Sequence, residues 1–286
     1  MELEELIIEF LKFIIYSALI VVIAKYILVT TLRKLAEALN LKPKTVGDIA
    51  GYATSAPELL TITTASFSGL MSASSINVLS SNIINLIQYI FAIFLNKNQK
   101  TLRNKAIKVD LILVLITIIL PVILLMFNIE MNVAVVPLFI IMYALFRFLN
   151  NNVHKLYLKN EDDRLEKNIE KEAKWERGNK KKITKYIVYL VITGVLLFIV
   201  SELLGNNLEQ LCNSFGVSQG VIGILLGFIT SIPELITFFE SQKHYKRQKD
   251  NELLGVVEAT NNLFTSNILN LFVIQTIGIV IFQIIH

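Results

Sequence analysis

Long apolar runs separated by basic connections are the feature that most constrains this chain. Phe13–Leu32, Val109–Phe127 and Ile187–Val200 reach or approach the roughly 20 residues that a helix needs to cross about 30 Å of hydrocarbon. Of the 286 residues 54% are hydrophobic and 17% are charged, with a mean hydropathy of +0.60, whereas a soluble domain carries roughly 25% charged residues. The sequence therefore predicts an all-α integral membrane protein.

The positions of the lysine and arginine residues predict its topology. All but Lys12 and Lys25 of the 27 basic residues lie in the segments 33–44, 97–108, 147–185 and 243–249. The alternate connections, around residues 69–75, 128–132 and 205–220, contain no Lys or Arg. An excess of Lys and Arg marks cytoplasmic loops. We expect both termini outside the cytoplasm of a multi-pass plasma-membrane protein. About eight transmembrane helices are predicted, at 6–36, 43–68, 74–96, 106–127, 132–150, 183–204, 216–241 and 253–285.

A charged segment divides the chain into unequal parts. Residues 1–150 are predicted to hold five transmembrane helices, residues 151–182 a charged cytoplasmic linker, and residues 183–286 three transmembrane helices. Eighteen charges of both signs lie within residues 155–185, which indicates a solvated tether without a core of its own. The N-terminal sequence MELEELIIEF is acidic, so we expect the first helix to be part of the mature protein rather than a cleaved signal peptide.

The two parts contain an internal repeat. Residues 21–60 align without gaps on residues 197–236 at an offset of 176, which pairs Thr54-Ser-Ala-Pro-Glu58 with Thr230-Ser-Ile-Pro-Glu234. A second block, NVLSSNIINL, pairs with NLFTSNILNL at an offset of 185. By the predicted topology the two TSxPE helices enter the membrane from opposite sides. Inverted repeats with interrupted helices are typical of secondary transporters, whose sites lie near the bilayer midplane.

Glu58 and Glu234 are the strongest candidates for chemistry. A carboxyl group in the middle of an apolar helix costs a few kcal/mol or more, and it indicates a functional site unless it is kept neutral for packing. Pro57 and Pro233 precede them and supply no N–H group, so each is expected to break its helix and leave backbone carbonyl groups without partners. Each TSxPE segment can thus offer carbonyl, hydroxyl and carboxylate oxygens together.

The second block adds neutral oxygen donors one helical turn apart. Ser81 and Asn85 are four residues apart, as are Ser266 and Asn270, so each pair shares a helix face. Such hard oxygen ligands suit Ca²⁺ or Na⁺ better than softer transition metals. The alternative, that polar side chains only join helices by hydrogen bonds, is stronger for Asn82 and Asn267.

Other chemistries are disfavoured by the sequence. Cys212 is the single cysteine and the three histidines are far apart in the chain, which excludes an evident zinc motif. No nucleophile and base pair, phosphate-binding loop or nucleotide motif is present, so we expect neither an enzyme nor an ATP-driven pump, and no cofactor. The basic residues lie in loops between apolar helices, which argues against nucleic acid as a partner.

The doubled motifs ATSAPELL with SSNIINL, and ITSIPELI with TSNILNL, resemble the two α-repeats of the cation/calcium exchanger superfamily, in particular its sodium/calcium exchanger branch. The resemblance covers about residues 21–96 and 187–285. It implies that Glu58 and Glu234 coordinate the transported ion, and that the first and sixth helices slide across the core. Further ligands are implied at Thr54, Ser55, Thr230, Ser231, Ser81, Asn85, Ser266 and Asn270.

The chain also departs from the family pattern. Ala53 and Ile229 stand at the usual glycine before Thr-Ser, and Ser80 and Thr265 at the glycine of the GSN triplet, so helix packing is expected to be looser or differently arranged. Asn270 stands where many prokaryotic members have Asp. The usual last two helices of the second repeat have no counterpart, which suggests a homodimer, a companion subunit or a degenerate copy.

The sequence thus favours a secondary-active cation antiporter that exchanges Ca²⁺ for Na⁺ by alternating access. The alternatives are an H⁺-coupled antiporter and a non-transporting subunit or relic. Asp48 and Glu258 lie nearer the cytoplasmic helix ends, where they either line the path to the site or extend to the interface. The expected partners are the lipid bilayer, Ca²⁺ and Na⁺.

Overall fold

The structure is a computed structural model that describes residues 3–39, 41–67, 71–127, 132–157, 180–214, 218–247 and 252–286. Every regular element within these ranges is a helix. The first three long helices are α1 (Leu3–Val22, a π-helical turn Ile23–Leu28, and Val29–Leu39), the two halves of α2 (α2a, Pro43–Thr54; α2b, Ala56–Phe67) and α3 (Met71–Leu95). After a 3₁₀ turn at Gln99–Arg103 come α4 (Lys105–Met126) and α5 (Val136–Tyr157), which a second 3₁₀ turn at Val133–Val135 precedes.

The second part of the chain has the same kinds of helix. They are α6 (Lys180–Ser214), the two halves of α7 (α7a, Gln219–Thr230; α7b, Ile232–Arg247) and α8 (Glu252–Ile268, a π-helical turn Leu269–Ile274, and Gln275–Ile285). Seven of the described helices are long and apolar enough to cross a membrane. The remaining predicted helix, the second in the chain, is α2, whose halves have 12 residues each. The predicted all-α membrane fold with eight helices in two inverted repeats is confirmed.

Some helix boundaries differ from the prediction. The sixth helix was expected to end at residue 204 and continues to Ser214, because its last turns pack against the start of α1. There the Asn207 side-chain amide donates to the backbone carbonyl of Glu9 at 3.0 Å, and Leu211 is buried. The fifth helix extends to Tyr157, seven residues into the predicted linker. The linker residues 158–179 lie outside the described residues, so the division into domains stays a prediction.

The two largest apolar clusters organise the packing. The larger one joins α3, α4, α5, α7b and α8, and every residue of α8 from Leu254 to Ile268 is buried. The smaller one packs α1 and α6 against α2a and α7a. The helices α1 and α6 also lie along one another. The bundle therefore has a central part, α2 to α5 with α7 and α8, and a flanking pair, α1 with α6.

Side-chain contacts show which helix ends lie together. The Lys44 ammonium group donates to the Asn151 side chain at 2.9 Å, Asn98 donates to Gln242 at 2.9 Å, and Arg33 pairs with Glu258. These contacts bring together the ends of α1, α3, α5 and α7b and the starts of α2a and α8. We call this side of the bundle the basic end, and the other side the opposite end.

Candidate cation-binding site

Both TSxPE segments interrupt their helices in the same way. The break between the halves of α2 is at Ser55, with φ −83° and ψ 3°, and the break in α7 is at Ser231, with φ −83° and ψ 0°. Each proline is the second residue of its half-helix, where the missing N–H group costs no intrahelical hydrogen bond. Each helix is thus interrupted two residues before its proline.

The two glutamates occupy equivalent positions just beyond the breaks. Glu58 lies in the first turn of α2b and Glu234 in the first turn of α7b, and both are fully buried. A helix N-terminus carries unpaired N–H groups and a partial positive charge, which favour a carboxylate there. The interrupted fold thus presents two acidic half-helix ends inside the bundle.

The neutral candidate residues surround these carboxylates with approximate twofold symmetry. The carboxylate of Glu58 faces the hydroxyl groups of Thr230 and Ser81, and that of Glu234 faces the hydroxyl groups of Thr54 and Ser266. The offsets of 176 and 185 that relate the repeats convert one set of neighbours into the other. All ten predicted ligands are at most 2% exposed. The structure therefore brings α2, α3, α7 and α8 together around one polar centre.

Hydrogen bonds connect several members of this centre. The hydroxyl groups of Ser55 and Ser266 are 2.9 Å apart, and the Ser266 hydroxyl donates to Oε1 of Glu234 at 3.1 Å. The Asn85 amide donates to the Ser266 hydroxyl at 3.3 Å, while the Ser81 and Thr230 hydroxyl groups are 3.4 Å apart. These bonds fix the orientation of the cluster without using all of its oxygens.

The remaining oxygens are the feature that points to a cation. Buried oxygens without a hydrogen-bond partner include both carboxylate oxygens of Glu58, Oε2 of Glu234, the hydroxyl of Ser231 and the amide oxygens of Asn85 and Asn270. Buried polar atoms in proteins are normally paired, so a concentration of unpaired acceptors needs an explanation. Ca²⁺ takes six to eight oxygen ligands, and this donor set matches that chemistry. Among the described residues no three His, Cys, Asp or Glu side chains form a metal-binding group, so the charge here comes from two carboxylates.

Asn82 and Asn267 lie where the two repeats meet. The Asn82 side-chain amide donates to the Asn267 backbone carbonyl, and the Asn267 amide donates to the Asn82 carbonyl, each at 3.1 Å. The reciprocal pair joins α3 to α8 on the local twofold axis. The structure thus shows the helix-joining contact that the sequence offered as the alternative for these two residues.

We expect Asn82→Ala to lower the stability of the protein by about 1–2 kcal/mol, because it removes a buried hydrogen bond between α3 and α8. Asn77→Ala is the matched control, since Asn77 lies on the same helix, is equally buried and has no hydrogen-bond partner for its side chain. Thermal unfolding of both variants in detergent checks the prediction. An equal loss of stability in the two variants would contradict the role of the reciprocal pair.

The access-path candidates are both engaged in ion pairs at the basic end. Asp48 accepts hydrogen bonds from Arg147 at 2.9 Å and from the Thr265 hydroxyl at 2.7 Å. Glu258 pairs with Arg33 and also accepts from the Ser241 hydroxyl at 2.7 Å. Both carboxylates are therefore fixed between helices, and a role for them along the ion path stays a prediction.

Two residues of the polar centre were not among the predicted ligands. Asn77 and Asn262 are equivalent, and each precedes its serine, Ser81 or Ser266, by four residues on the same helix face. Asn262 accepts a hydrogen bond from Thr54 at 3.5 Å and donates to Thr237, whereas the Asn77 side chain has no partner. The four-residue spacing that identified Ser81 and Asn85 would have found both residues.

Close helix packing positions the centre despite the larger residues at the expected glycines. Gly227 of α7a lies against Ser80, and Gly51 of α2a lies against Thr265. A Cβ atom on Gly227 would be 3.0 Å from the Asn77 backbone oxygen, and one on Gly51 would be 2.9 Å from the Asn262 oxygen. At these two positions the helices pack closely rather than loosely, because a glycine of α2a or α7a faces the larger residue on α8 or α3.

Comparisons with known proteins agree with this geometry. The family described as sodium/calcium exchanger protein matches residues 10–150 and 185–285. A structure of the sodium-calcium exchanger NCX_Mj soaked with 10 mM Na⁺ and zero Ca²⁺ is similar, with a TM-score of 0.59 and 21% identity over 96% of this chain and 83% of that chain. The structure of the H⁺/Ca²⁺ exchanger CAX gives a TM-score of 0.63 at 13% identity, covering 95% of this chain and 69% of that chain. A search of curated proteins finds no match.

At these identities the solved structures show a shared fold and no more. The family match is stronger, because it extends over most of the chain and includes both TSxPE segments and both polar blocks. The family is one of exchangers rather than an enzyme class. The protein is therefore a multi-pass membrane protein that belongs to the sodium/calcium exchanger family.

Proposed function

We propose that this protein is a secondary-active antiporter of the plasma membrane that exchanges Ca²⁺ for Na⁺ at the site between α2, α3, α7 and α8. The observation that carries the proposal is the pair of buried glutamates on interrupted helices, surrounded by oxygens that lack partners. Glu58 and Glu234 supply the charge. The remaining ligands are the backbone, hydroxyl and amide oxygens of the two repeats.

The electrostatics of the site explain why transport is coupled. Two carboxylates in a buried centre repel one another, and closing the bundle around them without a counter-charge is costly. One Ca²⁺ or more than one Na⁺ neutralises the pair and makes the closed, occluded state accessible. The empty carrier cannot close, so it cannot return across the membrane without an ion. Transport of Ca²⁺ in one direction therefore requires transport of Na⁺ in the other.

The orientation follows from the distribution of charge. We assign the basic end to the cytoplasm, because the Lys- and Arg-rich connections between the helices lie there. Both termini are then extracytoplasmic. Asn262, on the cytoplasmic side of the site, is hydrogen-bonded, while its equivalent Asn77 on the extracytoplasmic side has no partner. This difference supports a conformation that is closed toward the cytoplasm.

The coupling ion is tested by transport in a defined system. We expect the purified chain in proteoliposomes loaded with Na⁺ to accumulate ⁴⁵Ca²⁺ about tenfold above liposomes with equal Na⁺ on both sides. The Na⁺ gradient supplies the driving force. When Na⁺ leaves the liposome, the binding site returns to face the outside, where it can bind Ca²⁺. The same measurement with an outward H⁺ gradient distinguishes the proton-coupled alternative.

Two results would contradict the proposal. Uptake driven by H⁺ and not by Na⁺ would overturn sodium coupling while leaving the antiport mechanism intact. An absence of uptake with both gradients, from protein shown to be folded, would favour a non-transporting subunit or a protein that needs a companion. Cross-linking of the purified chain then separates a homodimer from a missing partner.

A further inference from the structure

One charged contact joins the flanking helices to the centre of the bundle. Arg33 of α1 binds Glu258 of α8 through two parallel contacts, Nη1 to Oε2 at 2.7 Å and Nη2 to Oε1 at 2.6 Å. Ser241 of α7b donates to Oε1 of the same carboxylate, and the guanidinium group lies 5.8 Å from the centre of the Tyr245 ring. The Arg33 and Glu258 side chains are 14% and 3% exposed. A bidentate and nearly buried ion pair is both strong and directional.

Among the described residues, an apolar cluster also joins these two parts of the bundle. The packing of α1 and α6 on α2a and α7a uses an apolar cluster that includes Leu28 and Leu32. Apolar surfaces can slide past one another, because their attraction does not depend on direction. The π-helical turn Ile23–Leu28 also divides α1 before the segment that carries Arg33, and such turns often mark functional positions. The ion pair is thus the contact that must break when this segment moves away from α8.

The repeat shows that this contact exists at one end only. The offset of 176 places Glu209 at the position equivalent to Arg33. Extending the second repeated block by four residues places Ala73 at the position equivalent to Glu258. A glutamate and an alanine form no ion pair. The symmetry of the site is therefore broken by charge at the basic end, about two helical turns from Ser266.

We propose that the Arg33–Glu258 ion pair is a latch that holds the basic end of the bundle closed and biases the protein toward the conformation open at the opposite end. The inference rests on the proposed alternating-access function. With the pair intact, α1 covers the basic side of the site and Asn262 keeps its bonds to Thr54 and Thr237. Opening toward the basic end separates Arg33 from Glu258. The equivalent residues of the repeat form no ion pair that would stabilise the conformation open at the basic end.

A cysteine reporter measures the latch without transport. Ala50 of α2a is 4% exposed and lies in the same apolar cluster as Leu32, on the basic side of Thr54. We place Ala50→Cys in a Cys212→Ser background, which removes the single native cysteine. A membrane-impermeant maleimide added from the basic end then reports how often α1 leaves this surface. We expect Arg33→Gln or Glu258→Gln to raise the labelling rate about tenfold, because the population of the open state increases.

The matched control is Asp110→Asn. Asp110 is also a buried carboxylate near the basic end, but its hydrogen-bond and ion-pair partners among the described residues are Asn150 and His154 of α5. We expect labelling in this variant to stay within twofold of the parent. The double variant Arg33→Gln/Glu258→Gln is expected to label no faster than the faster single variant, since both changes break one contact. Arg33→Lys keeps the charge and loses the bidentate geometry, so its labelling rate is expected to lie between those of the parent and Arg33→Gln.

The possible outcomes are distinct. Unchanged labelling in folded Arg33→Gln and Arg33→Lys protein overturns the latch, as does an equal increase in Asp110→Asn. Multiplicative effects of the two single changes overturn it as well, because independent perturbations behave in this way. Labelling does not require ion exchange, so failure of ⁴⁵Ca²⁺ uptake with the expected labelling pattern would reject the proposed function and keep the latch.

Discussion

Replacing either buried glutamate by glutamine is expected to lower the rate of Na⁺-driven Ca²⁺ uptake by about 100-fold or more at subsaturating Ca²⁺. Glu58→Gln keeps the size of the side chain but removes one of the two negative charges of the site. A bound Ca²⁺ then leaves a net positive charge in a centre that is fully buried, and this state is costly. Glu234→Gln is expected to act alike, because the repeat places both residues in the same setting. Uptake of ⁴⁵Ca²⁺ into proteoliposomes measures both effects.

The control for this pair is Glu240→Gln. Glu240 lies on α7b, six residues after Glu234, and is partly exposed, so its loss should change uptake less than twofold. Ca²⁺ binding also has a readout that does not depend on transport. Ca²⁺ should raise the melting temperature of the parent protein, because a ligand that binds the folded state stabilises it, and it should not do so in the two variants. Retained Na⁺-dependent uptake in Glu58→Gln would refute the assignment of the site.

The sequence was sufficient to predict what depends on local patterns. Apolar runs and basic loops predicted eight helices, and the two proline-containing motifs predicted interrupted helices, whose breaks lie at Ser55 and Ser231 in the structure. Because the repeat was visible without gaps, it also predicted that the two glutamates and their neighbours share one site. These features depend on composition, on the four-residue helix period, or on similarity between two segments of one chain.

Features that depend on distant partners were not predictable in the same way. Arg33 and Glu258 are 225 positions apart, and no periodicity links them. Asp110, His154 and Asn150 form a buried hydrogen-bonded group between α4 and α5, and no motif or spacing connects these three residues in the chain. The π-helical turn that contains Asn270 has no counterpart around Asn85, although the two asparagines are equivalent positions of the repeat. Such differences are set by tertiary packing, which local sequence does not specify.

Gly47→Ala is expected to have the second large effect, through the packing of α2a on α8. A Cβ atom at this position would be 2.3 Å from the backbone oxygen of Glu258 and 2.9 Å from Cβ of Asn261. Neither atom is the end of a flexible side chain, so one helix must move away from the other. We expect a loss of about 2–3 kcal/mol in stability, which is the range for overpacking a well-packed core. Because α2a ends at Thr54, next to Ser55, uptake of Ca²⁺ should fall together with stability.

Gly194→Ala separates this packing effect from the general effect of removing a helical glycine. A Cβ atom on Gly194 of α6 meets no atom within 4 Å, so the substitution should leave stability unchanged or raise it by about 0.5–1 kcal/mol through helix propensity. Thermal unfolding in detergent and ⁴⁵Ca²⁺ uptake compare the two variants directly. Equal melting temperatures and equal uptake would show that the close contact between α2a and α8 does not position the site. A loss confined to Gly47→Ala would show that the distance between these helices sets the positions of Thr54 and Ser55.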